Sequence, residues 1–168
     1  MKRSGFTLVE FIVYIAVLAV LGGSVSAMFL WTVQAHAKSR VLQEAVSGSS
    51  LAMDTVLREI REAERIYLPT STEAQVSLKT KTFMLPGETS GFIDFFLCEE
   101  RLCMKKEGQL PVALTPGSVE VSSLEFVFIS TDMDFPSVRM TMEVSYKNPN
   151  NRPELTASVA LSATASPR

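Results

Sequence analysis

The chain is poor in the residues that carry most enzymatic chemistry. It has one histidine, His36, and two cysteines, Cys98 and Cys103. A histidine-based triad or a His/Cys metal cage has too few parts to be built from these. No Gly-rich phosphate loop, nucleophile elbow or paired-histidine metal motif occurs either. A basic excess is missing as well. Sixteen Lys and Arg stand against 18 Asp and Glu, for a net charge of −2, which offers no general nucleic-acid-binding surface. At 168 residues there is room for one modest domain and an appendage. The expectation is a protein that is not an enzyme and takes no metal or cofactor.

Charge is wholly absent from one stretch. Phe11 to Val33 reads FIVYIAVLAVLGGSVSAMFLWTV, and as a helix these roughly 23 residues span about 35 Å, enough to cross a hydrocarbon core of about 30 Å. Lys2 and Arg3 precede it, and Glu10 is the first acid. The positive-inside tendency keeps the N-terminus cytoplasmic and exports everything after Trp31. Glu10 is anomalous, because a carboxylate inside an apolar segment costs several kcal/mol unless it is satisfied. Snorkelling to the headgroups is the plain explanation, and a functional partner is the sharper one. Gly22-Gly23, in mid-span, weakens a helix or allows close helix contact.

Gly5-Phe6-Thr7-Leu8-Val9-Glu10, behind the basic Lys2-Arg3 and ahead of the span, resembles the processing motif of type IV prepilins and pseudopilins. The resemblance implies a leader at 1–5 and cleavage by a prepilin peptidase between Gly5 and Phe6. It also implies N-methylation of Phe6, with Glu10 as the fifth mature residue. The chain would be the substrate of both reactions. A transmembrane and assembly helix over 6–33, an amphipathic helix over 34–67 and an exported β domain over 68–168 complete the expected division. Small-x-small sites at Val25-Ser26-Ala27 and Ala35-His36-Ala37 support a competing reading, an ordinary secretory signal on a soluble periplasmic domain.

Past the span the pattern stays helical. Leu42, Val46, Met53, Leu57 and Ile60 recur at spacings of three, four or seven, with Ile66 and Tyr67 near the end. Ser47-Gly48-Ser49-Ser50 suggests a break, and Pro69 a stop. Strands are expected at 74–78, 81–85, 91–98, 102–106, 119–130, 137–147 and 154–163. The last three alternate through Leu124, Phe126 and Phe128, through Val138 to Tyr146, and through Leu155 to Leu161. The expected fold is therefore α+β, a long N-terminal helical spine packed on one antiparallel sheet. Pilin-like architecture is also what the resemblance implies.

Cys98 and Cys103 flank Glu99-Glu100-Arg101-Leu102, a four-residue hairpin connection. A disulfide suits an exported domain, and a pair of reduced thiols is the alternative. Lys79, Lys81, Lys105 and Lys106 are candidate contacts for nucleic acid or another ligand, offset in part by Glu99, Glu100 and Glu107. Asp132 and Asp134 are too few for a convincing cation site, and a lone His36 is incidental.

The partners expected from the resemblance are other pilin subunits, the peptidase/methyltransferase, the inner-membrane assembly platform and the bilayer. The expected role is a minor subunit of a type IV pilus, competence pilus or type II secretion pseudopilus. An exported ligand-binding module is the alternative from another functional class.

Overall fold

The computed structural model describes residues 7–84, 86–129 and 136–167. Helix α1 runs unbroken from Leu8 to Glu62, about 80 Å at 1.5 Å per residue. The chain then forms β1 (Arg65–Ile66), a 3₁₀ turn (Leu68–Thr70), β2 (Gln75–Thr80), β3 (Gly91–Cys98), β4 (Arg101–Lys106) and β5 (Val112–Ala113). After these come β6 (Val119–Ile129), β7 (Ser137–Tyr146), a second 3₁₀ turn (Pro153–Leu155) and β8 (Ser158–Ala165). All pairings are antiparallel. The architecture is the expected α+β spine and sheet.

There are two sheets, not the single one expected, ordered β1-β2-β3-β4-β5 and β6-β7-β8. Strand β6 connects them through its backbone. Val121 N–H donates to the Glu100 carbonyl at 2.7 Å and Phe126 N–H to the Glu73 carbonyl at 2.8 Å. A bulge between Val121 and Ser123 shifts the strand's alternation by one residue. Val119 and Val121 thereby share the buried face with Phe126.

The core lies between the second half of α1 and both sheets. It joins Val56 and Ile60 of α1 to Leu78, Ile93, Phe95, Phe126, Met140 and Met142. Met53, Leu57 and Ile60 face inward as expected, but nearer the apolar stretch the inward face is shifted by one residue. Val41 and Ala45 are buried, whereas Leu42 and Val46 are partly exposed. The small Ala45, Ser49 and Ala52 let β7 and β8 approach the helix axis more closely than leucines would.

The helix ends at Glu62, short of Tyr67, because Arg65 and Ile66 pair with Lys79 and Leu78 of β2. No break occurs at 47–50. Gly48 instead makes room for a loop: a Cβ there would stand 2.7 Å from Pro116 Cγ and 2.9 Å from Cδ. The same loop is tied one turn earlier, where Ser118 Oγ donates to Glu44 Oε1 at 2.7 Å. Alanine is better in helices by about 1 kcal/mol, but overpacking against a stiff ring costs typically 1–3 kcal/mol. We therefore expect Gly48→Ala to lower unfolding stability by about 1 kcal/mol. In a Pro116→Ala background the same change should become stabilising, and denaturant melts of the four chains would check the coupling.

Lys81–Met84 forms bends where a strand was expected, and Leu85 lies outside the described residues. Thr82 N–H and its hydroxyl both bond Thr80 Oγ1, at 3.1 and 2.7 Å, which turns the chain away after β2. The segment then crosses Gly91 so closely that a side chain there would meet the Phe83 carbonyl.

Candidate processing and assembly segment

Thr7 caps α1. Its backbone is extended (φ −82°, ψ 148°) and its Oγ1 accepts from the Glu10 N–H at 3.3 Å. That bond satisfies one of the free amides of the first turn. Glu10 is the one acid in that turn, where the positive end of the helix dipole favours a carboxylate. The Gly5–Phe6 bond, with Lys2 and Arg3, lies outside the described residues. The described chain nonetheless fixes the geometry beside it, since residue 6 immediately precedes the cap and Glu10 sits within the first turn.

From Leu8 to Val33 every residue of the helix is exposed. Leu8 is 78% exposed, Phe29 68% and Trp31 71%. Among the described residues, α1 is the one helix long and apolar enough to cross a membrane, and its most apolar window is wholly unburied. A helix that is apolar on all sides cannot stay in water and needs lipid or other helices around it. Its hydroxyls are prepared for such surroundings. Ser24, Ser26 and Thr32 donate to the carbonyls of Val20, Gly22 and Met28 at 2.7–2.8 Å, so these three donors are satisfied without water. The paired glycines stay helical, with nothing within 4 Å of either.

A family model of the prokaryotic N-terminal methylation motif matches residues 1–26. The match supports a prepilin-type N-terminus like that of type IV pilins and pseudopilins. No curated protein and no solved structure matches the chain. The match covers the Thr7 cap, Glu10 and most of the unburied apolar stretch.

The other expected residues fall elsewhere. Cys98 and Cys103 are disulfide-bonded, with Cα atoms 5.8 Å apart. The hairpin they close is tighter than the four-residue loop expected. Cys98 pairs with Arg101 across the ladder, leaving a two-residue turn at Glu99 and Glu100. Both have positive φ, 47° and 59°, the backbone that matches strand twist in the tightest hairpins.

The four candidate lysines do not form a basic face. Lys79 and Lys81 both pair with Glu64, at 3.5 and 3.7 Å. Lys106 lies 5.7 Å over the Phe83 ring. Lys105 lines a separate groove with Tyr67, Phe92, Asp94 and Glu107. There the Tyr67 and Phe92 rings meet edge to face at 5.1 Å and Asp94 accepts from Ser77 Oγ at 2.6 Å. His36 is exposed on α1 beyond the apolar stretch, and Asp132 and Asp134 lie outside the described residues. Among the described residues, no three His, Cys, Asp or Glu side chains are grouped to hold a metal ion.

Sequence reasoning missed a cleft beside the end of the apolar stretch, formed by Trp31, Gln34, Ala35, Lys38 and Pro153. A tryptophan at the end of an apolar run was the available signal. Its other wall lies more than a hundred residues further along and could not be read locally.

Proposed function

We propose that the chain is a minor pilin-type subunit of a type IV pilus, competence pilus or type II secretion pseudopilus, with no catalytic activity of its own. Prepilin peptidase cuts between Gly5 and Phe6 on the cytoplasmic side, and Phe6 is then N-methylated. The subunit waits in the inner membrane and moves into the filament through α1. The observation that carries this reading is the coincidence of the methylation-motif match over 1–26 with an apolar half-helix that nothing in its own fold covers.

Glu10 has a physical role in this scheme. Cleavage leaves an α-amine one residue before the Thr7 cap, and in a bundle of staggered parallel helices that amine can meet the Glu10 carboxylate of a neighbour. Each group offsets the desolvation of the other, and only certain axial offsets permit the pairing. The unbroken α1 makes such an offset transmissible, because a continuous helix carries its register to the exported domain.

The mature protein purified from its host should begin at Phe6 and carry one extra methyl group. N-terminal sequencing and intact mass check this together. A chain beginning at Met28 or Lys38 would mark an ordinary secretory signal instead, and one retaining Met1 would end the proposal.

A further inference from the structure

Where α1 leaves its apolar stretch, a cleft of about 390 Å³ opens between the helix and the 3₁₀ turn at Pro153, lined by Trp31, Gln34, Ala35, Lys38 and Pro153. The far wall is held in place by its own hydrogen bonds. Asn148 Nδ2 donates to the Arg152 carbonyl at 2.8 Å, and Arg152 N–H donates back to Asn148 Oδ1 at 3.0 Å. Tyr146 N–H closes the loop on the Ala157 carbonyl at 3.0 Å.

The depth of the cleft is informative. From Val33, the last residue of the uncharged run, to Lys38 the helix rises about 7 Å. One leaflet's headgroup layer is about 5–7 Å thick. Trp31 thus falls at the hydrocarbon boundary where aromatic belts sit, and Gln34 and Lys38 fall at phosphate level. At 100° per residue, Trp31, Gln34, Ala35 and Lys38 share the face of α1 turned toward Pro153, whereas Arg40 points away from it. Lys38, and the exposed Arg152 beside Pro153, have no ion pair among the described side chains. The cleft therefore combines an apolar floor with an amide and, about one turn further out, an ammonium that has no ion pair among the described side chains.

We propose that this cleft holds the phosphodiester headgroup of an anionic phospholipid from the leaflet on the exported side. Lys38 and the Gln34 amide donate to the phosphate while Trp31 packs on the upper acyl chain. The occupant is a membrane lipid and not a soluble phosphate ester, because the floor is apolar and continuous with the bare half of α1. The inference rests on the reading of α1 as a membrane span.

Trp31 is the chain's one tryptophan, so its fluorescence reports on this site alone. The full chain would be placed in nanodiscs of mixed phosphatidylglycerol and phosphatidylcholine, with bromine on the acyl chains of one lipid at a time. Brominated phosphatidylglycerol should quench Trp31 as if enriched about fivefold over its bulk fraction. Lys38→Gln should abolish most of that excess, and Arg40→Gln, the same charge loss on the opposite face, should leave it. Soluble glycerophosphoglycerol at millimolar concentration should not compete. Equal quenching by the two lipids, or equal losses in the two variants, would overturn the cleft as a lipid site while leaving the span intact. Competition by the soluble ester would overturn the lipid as occupant. No quenching by either lipid would remove the span itself, and the inference with it.

Discussion

Glu10→Ala should reduce incorporation into filaments about tenfold or more while the subunit accumulates, processed and folded, in the membrane. The direction follows from two opposing effects. Removing a carboxylate from an apolar helix makes insertion more favourable, by a few kcal/mol on insertion scales. A defect in anchoring is therefore not expected. What is lost is the partner for a neighbour's α-amine, and with it the preference for one stagger over the others. Glu10→Gln keeps a hydrogen-bond acceptor without the charge and should fall between the two. Quantifying the subunit in sheared filaments against the membrane fraction separates assembly from insertion. If Glu10→Ala chains joined at the normal level and order, the pairing scheme would be wrong.

Phe126→Ala should cost about 3–5 kcal/mol, a large part of the 5–15 kcal/mol that a domain of this kind has. Phe126 is fully buried, and its own N–H donates to the Glu73 carbonyl that ties the two sheets together. Truncation opens a void on the strand whose backbone bonds to turns of the other sheet. A fall in Tm of roughly 10–20 °C follows from the size of the exported part. Val127→Ala, one residue along on a partly exposed face, should cost under about 1 kcal/mol. Thermal melts of the full chain in detergent, followed by near-ultraviolet circular dichroism, compare the two directly. Similar melting of both variants would mean that β6 does not organise the core.

Much of this molecule could be read from local pattern, and what escaped had definite causes. The span, its basic flank and Glu10 are legible because they are written in one uninterrupted segment. Strands β3, β6 and β7 lie within a residue of their expected bounds, since each is a run of eight residues or more. The second sheet escaped because whether β6 continues the ladder after β5 or starts a new one is decided by its pairing with β7 and not by the pattern of any single strand. The inward face of α1 was misread at 42 and 46 alone, because large side chains there outweigh the alanines in any hydrophobic pattern. Packing against β7 and β8 favours the alanines. Gly48 looked like a breaker because its purpose, space for Pro116, is set by a loop nearly seventy residues away. In the processing segment, Glu10 stood out through its cost, whereas the cleft below Pro153 carries no cost that a sequence displays.

The bare half of α1 also constrains how such a subunit can travel. It presents more than a dozen large apolar side chains, each worth about 1.5–3 kcal/mol on leaving water. Releasing it into solvent on the way to a fibre would therefore cost tens of kcal/mol, far beyond what thermal fluctuation supplies. In the proposed role, traffic between bilayer and fibre is a hand-over at a shared boundary. As each stretch of the rod slides out of lipid, a neighbouring rod has to be in place to receive it.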